Sequence, residues 1–212
     1  MAKRTIGVGL ISVGWMGNLH TRAFEALPKL YPELNIDIKL VIAADSSEER
    51  SQYAKNVLGY RESSLDYRDV LKHPEVDVVS ICSPNFLHKE MGLAAAKAGK
   101  AFWIEKPVGR GAVETLEVEA AVNEAQVETT IGFNYRHPPA VEYAKKIIAE
   151  GKLGEITNVR GSYFADYSAE PNGALSWRFI REFAGNGVLG DLMGHLVDQV
   201  QYILGPISEV VG

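Results

Sequence analysis

The stretch VGLISVGWMG, residues 8–17, places an apolar strand directly before a glycine-containing turn and the start of a helix. In a dinucleotide-binding fold, glycines at such a turn allow a tight bend, close approach of the backbone to a pyrophosphate, and close packing of the helix on the sheet. The pattern here is Ser12-x-Gly14-x-x-Gly17, with serine at the first glycine position. On the pattern alone, a purely structural turn is an equally good interpretation.

Short apolar runs and segments of helical period alternate outward from this stretch, which is typical of a parallel sheet with crossover helices. We expect strands at residues 5–11, 36–43, 76–82, 101–104 and 128–132. We expect helices between them at residues 15–27, 47–57, 66–72, 86–98 and 111–125. The sequence therefore predicts an α/β fold of the Rossmann type for residues 1–132.

The pattern changes after Gly132, and residues 133–212 are expected to form a second domain of the α+β class. A helix is predicted at 139–150, a strand from Glu155 to about Tyr167, a glycine-rich loop at 168–190, and a helix beginning near Gly190. The last residues, 207–212, resemble the start of another strand. Two strands are fewer than a stable sheet usually contains, so this domain is expected to be incomplete.

Composition excludes several classes of function. The chain has 212 residues, 46% of them apolar, with a net charge of −5. No basic patch is present, so nucleic acid and membrane surfaces are disfavoured as partners. The single cysteine, Cys82, lies in an apolar run and is expected to be a buried thiol. A cytoplasmic protein without disulfides is the expectation.

Asp45 ends the second predicted strand, where a carboxylate in this fold accepts hydrogen bonds from the adenosine ribose. It lies 28 residues after Gly17, and a proline-containing loop at 28–32 is expected to explain the long spacing. A carboxylate there repels a 2′-phosphate, so NAD is favoured over NADP, although Arg50 could reach such a phosphate. A helix cap is the alternative role for Asp45.

Two further patterns indicate chemistry. Lys106, in Glu105-Lys106-Pro107, follows the apolar run 101–104 and would lie at the end of a core strand. Asp191 and His195 are four residues apart, so on a helix they share one face. A carboxylate beside an imidazole orients the ring and favours its protonated form, which suits a general acid or base.

Other interpretations of the Asp191 and His195 pair remain open. The two residues could be a helix cap and a surface side chain. They could also begin a metal site, but no third ligand or cysteine pair accompanies them, so no metal is predicted. His20, His73 and His137 are expected to be structural.

Taken in order, these motifs resemble the glucose-fructose oxidoreductase, inositol dehydrogenase and MocA family over essentially the whole chain. The residues that carry the resemblance are the Ser12 to Gly17 turn, Asp45, Ser83-Pro84-Asn85 with His88, Glu105-Lys106-Pro107, Gly132-Phe133-Asn134-Tyr135-Arg136, Trp177-Arg178, and Gly187 through His195. The chain departs from the family at Ser12, where glycine is usual, and at the C-terminus, where the family's second domain continues into a large open sheet.

The resemblance implies an oxidoreductase that transfers a hydride between NAD, or alternatively NADP, and a secondary alcohol of a sugar, inositol or related polyol. It implies that Lys106, Asp191 and His195 are catalytic. It implies cofactor contacts for Ser12, Gly14, Trp15, Met16, Gly17, Asp45, Ser83, Asn85, His88, Glu105, Trp177 and Arg178. It implies substrate contacts for Tyr135 and Arg136. Packing or surface roles are equally good interpretations for Tyr135, Arg136, Trp177 and Arg178, and a helix cap is an equally good interpretation of Asn85.

The resemblance also implies a homo-oligomer for the full-length family member, with a small polyol or sugar as its partner. Two alternatives are a dinucleotide-binding regulator without turnover and a truncated fragment that binds the cofactor only. The presence of Lys106 together with Asp191 and His195 favours the enzyme, because a regulator does not need that combination.

Overall fold

The computed structural model of the protein describes residues 3–211. The chain divides into two compact units, with the division between Ile131 and Gly132. The first unit therefore contains the predicted nucleotide-binding region, and the second unit contains the rest of the chain.

The first unit is built on one parallel sheet with helices in the crossover connections. Its strands are β1 (Arg4–Ile11), β2 (Ile36–Ala44), β3 (Glu62–Ser64), β4 (Val78–Ile81), β5 (Ala101–Ile104) and β6 (Thr129–Ile131), in the spatial order β3-β2-β1-β4-β5-β6. Its helices are α1 (Trp15–Leu30), α2 (Glu48–Asn56), α3 (Tyr67–Lys72), α4 (Asn85–Lys97) and α5 (Ala112–Ala125). This strand order is that of the Rossmann fold, as predicted.

The central strands form the core because both of their faces are covered. Val8 and Leu10 in β1 are completely buried, as are Val41 in β2 and Val79 and Ile81 in β4. Strands buried on both faces have continuous apolar runs, which is why their positions were readable in the sequence. The carboxyl ends of β1, β2, β4 and β5 therefore lie side by side at one end of the sheet.

Two details of the first unit differ from the sequence-based expectation. Strand β3 was not predicted, because its three residues are polar and it pairs only with β2, at the edge of the sheet. Helix α1 continues through Pro28 to Leu30, and a 3₁₀ turn follows at Pro32–Leu34. The long spacing before Asp45 is therefore occupied by additional helical residues rather than by a loop.

The second unit contains the helices α6 (Pro139–Ala149), α7 (Arg181–Ala184) and α8 (Gly194–Leu204). A π-helical turn, Leu189–Met193, runs directly into α8. Short 3₁₀ turns lie at Asn134–Arg136 and Trp177–Phe179. The predicted helix at 139–150 is confirmed, and the helix predicted to begin near Gly190 starts with the π turn.

The prediction of strands in the second unit was wrong for the described residues. Neither 155–167 nor 207–211 forms a strand, and residue 212 lies outside the described residues. A strand requires a neighbouring strand for its backbone hydrogen bonds, and the described part of this unit offers none. Alternating side chains were therefore insufficient to define a strand here. No helix within residues 3–211 is long and apolar enough to cross a membrane.

Candidate active site

The turn between β1 and α1 has the tight geometry that the glycine pattern predicts. Ser12 adopts a φ of 74°, a region that favours glycine, and its N–H donates to the Ala44 carbonyl at 2.8 Å. A Cβ atom at Gly17 would lie 2.4 Å from the Ser12 carbonyl oxygen. The turn therefore forms with serine at its first position but requires glycine at its last.

The amino-terminal end of α1 is suited to an anion. No side chain caps this end, and its first turn has no acidic residue. The first backbone N–H groups of a helix lack intrahelical partners, and the helix dipole adds partial positive charge there. Trp15, in this first turn, is 77% exposed, and Met16 is half-buried. This end of the helix can accept a phosphate group of a dinucleotide.

Asp45 is buried at the carboxyl end of β2 and holds the turn in place. Its Oδ2 accepts from the Val13 N–H at 2.8 Å, and its Oδ1 accepts from the Ser47 N–H at 2.9 Å. The N-cap of α2 is Ser47, whose hydroxyl accepts from the Arg50 N–H at 3.4 Å. Asp45 is therefore not the N-cap, and each of its oxygens retains acceptor capacity for a ligand.

A cleft of about 250 Å³ lies at the carboxyl ends of β1, β2 and β4. Its lining includes Ser12, Asp45, Arg50 and Ser83. Within residues 3–211, the buried hydroxyl of Ser83 has no hydrogen-bond partner. A buried polar group without a partner is uncommon in folded proteins and suits a site that receives a polar ligand. Together with the uncapped helix end, this cleft fits the adenosine and pyrophosphate parts of NAD.

Two predicted residues of the following segment are buried. Asn85 is the first residue of α4, whose N-cap is Pro84, so Asn85 does not cap this helix. His88 is 1% exposed, and its ring nitrogens lie 2.7 Å from the Ser83 carbonyl and 2.6 Å from the Pro107 carbonyl. Both ring nitrogens thus contact protein backbone, so the geometry places His88 between two loops rather than against a ligand.

The segment Glu105-Lys106-Pro107 follows β5 directly. Lys106 is half-buried, and its peptide bond to Pro107 is cis. Glu105 is 8% exposed, and its Oε1 accepts from His20 Nε2 at 3.0 Å and from the Trp103 indole N–H at 3.4 Å. The carboxylate of Glu105 is therefore engaged inside the first unit.

His20 was expected to be structural, and the structure places it in this polar cluster. Its Nδ1 lies 2.7 Å from the Ser80 hydroxyl, and its ring packs edge-on against Trp103. Burial disfavours the charged imidazole, but hydrogen bonding to Cys82 and Glu105 outweighs it and raises the pKa of His20 to about 10. His20 is therefore protonated at neutral pH and donates from both ring nitrogens.

In the second unit, His195 is buried in a cage of aromatic rings. The Tyr135 ring centroid lies 4.6 Å from that of His195, and Phe133 and Tyr163 lie at 5.9 and 6.2 Å. The hydroxyls of Tyr135 and Tyr163 are 2.9 Å apart, and this hydrogen bond is the main cause that raises the pKa of Tyr163 to about 12. Tyr163 was not singled out in the sequence.

Asp191 lies in the π-helical turn, so Asp191 and His195 do not share one regular α-helix. The Asp191 carboxylate accepts from the Tyr167 hydroxyl at 2.7 Å. Arg178 Nε lies 3.9 Å from the same carboxylate, and its guanidinium stacks on the Trp177 ring at 4.4 Å. Tyr167 was not singled out in the sequence. Its hydrogen bond connects Asp191 to the segment that precedes the 3₁₀ turn at Trp177–Phe179.

Arg136 forms a bidentate ion pair with the buried Asp198, with distances of 2.7 and 2.5 Å. Hydrogen bonding to Asp198 raises the pKa of Arg136. Asp198 follows His195 by three residues on α8, a spacing that could have suggested a shared face. The guanidinium predicted to contact substrate is therefore also committed to holding α8.

Within residues 3–211, no group of three or more His, Cys, Asp or Glu side chains could hold a metal ion. The predicted site residues instead fall into two sets, one in each unit. The first unit holds the cleft and the Lys106 segment, and the second unit holds the aromatic cage with Asp191 and His195.

Comparison with protein families identifies the chain. Residues 6–133 match the model described as an oxidoreductase family with an NAD-binding Rossmann fold, and residues 141–212 match the GFO/IDH/MocA C-terminal domain. The chain belongs to the GFO/IDH/MocA oxidoreductase family. The resemblance inferred from the motifs is thus confirmed, including the Rossmann nucleotide-binding domain.

Two curated members of this family illustrate the range of relatives. Levoglucosan dehydrogenase of Pseudarthrobacter phenanthrenivorans is 40% identical over 208 residues, which is 98% of this chain and 53% of the relative. The NAD(+)-dependent scyllo-inositol 2-dehydrogenase of Bacillus subtilis is 31% identical over 175 residues, 82% of this chain and 49% of the relative. The chain spans about half the length of the curated relatives it matches.

Solved structures of family members share the fold. Levoglucosan dehydrogenase in complex with NADH and levoglucosan superimposes with a TM-score of 0.93 at 38% identity, covering 97% of this chain and 55% of that chain. An oxidoreductase domain protein from Kribbella flavida gives a TM-score of 0.89 at 34% identity, covering 97% and 55%.

Proposed function

We propose that this protein is an NAD-dependent dehydrogenase that oxidises a ring hydroxyl of an anhydrosugar such as levoglucosan, or of a related polyol. The observation that carries the proposal is the 40% identity to levoglucosan dehydrogenase across 98% of the chain. The cleft with the uncapped start of α1, Asp45 and the unpartnered Ser83 hydroxyl supports NAD as the cofactor.

In this proposal, oxidation breaks the C–H bond of the alcohol carbon and the O–H bond of its hydroxyl, leaving a carbonyl. NAD, when bound, would supply the hydride acceptor. The imidazole of His195 takes the hydroxyl proton, and burial in an aromatic cage excludes water from that transfer. The ammonium of Lys106 stabilises the alkoxide charge that develops as the proton leaves.

The remaining side chains of the second unit orient the reacting groups. Asp191 accepts from the Tyr167 hydroxyl at 2.7 Å and so orients that hydroxyl. The paired hydroxyls of Tyr135 and Tyr163 offer a donor and acceptors to a polyol. We propose these two tyrosines, rather than Arg136, as the main sugar-binding groups, because Arg136 is already paired with Asp198.

Turnover is measured by the absorbance of NADH after mixing the protein with NAD and levoglucosan, inositols or aldoses. We expect oxidation of levoglucosan, and Lys106→Ala is expected to lower kcat on the order of 100-fold or more. Lys97→Ala, on the exposed last turn of α4, is the matched control and should behave as wild type. NAD binding without turnover on any substrate would favour a dinucleotide-binding regulator or fragment instead.

Cofactor choice tests the role of Asp45 separately. Its buried carboxylate is expected to disfavour the 2′-phosphate of NADP, although Arg50 lines the same cleft. Titration should therefore give a lower Kd for NAD than for NADP, and tighter binding of NADP would contradict this role. The homo-oligomer implied by the family stays a prediction. Light scattering on the purified protein measures its oligomeric state.

A further inference from the structure

Two histidines outside the proposed chemistry, the half-buried His20 and the buried His88, contact the residues on either side of Lys106. His20, from α1, contacts the Glu105 side chain, and His88, from α4, contacts the Pro107 carbonyl. We infer that His20 and His88 are positioning residues that hold the Lys106 segment from both sides. The inference rests on the proposed function, in which Lys106 must be accurately placed to stabilise an alkoxide.

The His20 side of this arrangement is an ion pair in a largely buried setting. The imidazole Nε2 and the Glu105 Oε1 are 3.0 Å apart, and both side chains are only 11% exposed. Hydrogen bonds between charged groups are shorter and stronger than neutral ones. Because Glu105 directly precedes Lys106, fixing its carboxylate fixes the backbone from which the lysine side chain projects.

Ser80 and Trp103 complete the His20 side. The Ser80 hydroxyl lies 2.7 Å from His20 Nδ1 and 3.5 Å from Cys82 Sγ. Since the protonated ring donates to Ser80, that hydroxyl is available to donate to the sulfur. Ser80 lies on β4 and Trp103 lies on β5. The cluster therefore fixes the position of the Glu105 carboxylate relative to two core strands.

The His88 side connects two loops through one ring. Ser83 O and Pro107 O lie 2.7 and 2.6 Å from Nε2 and Nδ1 of His88, and both carbonyl oxygens are acceptors. Burial lowers the pKa of His88, although the two carbonyl hydrogen bonds and the charge of Glu105 oppose that shift. A neutral imidazole has one N–H and donates to one of the two carbonyls, as its tautomer decides. The two short distances hold the ring between both loops.

Glu105 is the charge that both histidines share. Its carboxylate favours the protonated form of His20 and of His88, whereas Lys106 opposes protonation of His88. The segment around Lys106 therefore combines one carboxylate with two imidazoles inside the first unit. Such a network restricts the lysine more tightly than apolar packing, because each hydrogen bond has a defined length and direction.

The side-chain amides of asparagine and glutamine separate the contacts of each ring. An asparagine amide reaches the position of Nδ1, and a glutamine amide reaches that of Nε2. His20→Gln therefore keeps the contact to Glu105, and His20→Asn keeps only that to Ser80. At position 88 the order reverses, since His88→Asn keeps the contact to Pro107 and His88→Gln keeps that to Ser83.

Steady-state kinetics of these four variants give a crossed pattern if the inference holds. His20→Asn and His88→Gln, which release the Lys106 segment, should lower kcat on the order of 10- to 100-fold with the Kd of NAD little changed. His20→Gln and His88→Asn should retain most of kcat, and His88→Asn should weaken NAD binding because Ser83 lines the cleft. His73→Gln, which lies away from these segments, is the control. Equal kcat within each pair would overturn the inference.

Nuclear magnetic resonance tests the arrangement without turnover. The ¹⁵N shifts of the His88 ring should show Nδ1 protonated, as donation to the Pro107 carbonyl requires, and protonation of Nε2 alone would overturn the His88 side. The ¹³C chemical shift of methylated Lys106 should change in His20→Asn and His88→Gln but not in His73→Gln, and an unchanged shift would overturn positioning. If the wild type turns over no substrate while these shifts occur, the proposed function fails and the positioning stands.

Discussion

The two units of the chain bury different kinds of side chain. In the first unit, valine, isoleucine and leucine of the central strands are completely buried, as in β1 and β4. In the described part of the second unit, the buried residues are Gly132, Ala184, His195 and Asp198. The nucleotide-binding unit is thus held by apolar burial, whereas the second unit buries the very groups proposed to act in catalysis or to hold their helix.

The two kinds of burial predict where each unit is sensitive to mutation. Apolar burial is non-directional, so the first unit depends on volume and packing. Aromatic and ionic contacts around His195 are directional, so the second unit depends on individual partners. Mutations that remove side-chain volume in the first unit, or a contact partner in the second, can distinguish these two kinds of stabilisation.

The largest effect is expected from loss of core volume in the first unit. Leu10→Ala removes a side chain that is 0% exposed, and we expect a loss of about 3 kcal/mol of unfolding free energy. The matched change Leu204→Ala, at the end of α8, affects a side chain that is 39% exposed and should cost less than about 1 kcal/mol. Urea unfolding measures both, and equal losses would contradict the comparison.

A smaller loss is expected where a partner is removed in the second unit. Arg136→Ala leaves the buried Asp198 carboxylate without its bidentate partner, which should cost about 2 kcal/mol. Lys146→Ala breaks an exposed pair with Glu150 at 4.0 Å and should change stability by less than about 0.5 kcal/mol. Hydrogen exchange of α8 amides reports the difference, and similar exchange in both variants would show that the buried pair is not what holds α8.

The glycine turn provides a test of backbone sterics in the first unit. At Gly17 a Cβ would meet the Ser12 carbonyl oxygen at 2.4 Å, so Gly17→Ala should cost about 1–2 kcal/mol and weaken NAD binding. At Gly14 nothing lies within 4 Å of such a Cβ, so Gly14→Ala should fold normally and affect only the cofactor. Thermal unfolding with and without NAD distinguishes the two, and a destabilised Gly14→Ala would argue against this account of the turn.

The last prediction concerns pH dependence. The pKa of His20 in the folded state is about 10, above its ordinary value of 6.5, so its contribution is complete below pH 6.5 and is lost as pH rises towards 10. The pKa of Tyr163 is raised from 10.0 to about 12, so its contribution persists up to pH 10 and is lost above it. We expect His20→Gln to abolish the loss of stability between pH 6.5 and 10. An unchanged profile in that window would contradict the ion pair with Glu105.

Sequence reasoning was most successful where a local pattern determines a local structure. The apolar runs predicted β1, β2, β4 and β5, and Asp45 and Lys106 follow strands as expected. It failed where the structure depends on a distant partner. Strand β3 is defined only by its pairing with β2, and 155–167 alternates without a neighbouring strand.

Predictions for the site residues also failed where a contact with a distant partner decides the structure. His20 was expected to be structural, because its contact with Glu105 joins residues 85 positions apart and leaves no trace in local spacing. Spacing also placed Asp191 and His195 on one regular helix face, whereas the structure interposes a π-helical turn. Tyr163 and Tyr167 lacked a motif and were recognised only through their contacts.

Local sequence patterns were sufficient to predict the strands of the first unit other than β3, the glycine turn, and the family to which the chain belongs. They were sufficient because hydrophobic period, turn chemistry and strand-end residues are all encoded within short windows of the chain. The sequence did not reveal which side chains are buried together, such as His20 with Glu105 and His195 with its tyrosines. Those pairings depend on which distant segments meet in space, and burial then gives the polar groups their protonation and direction.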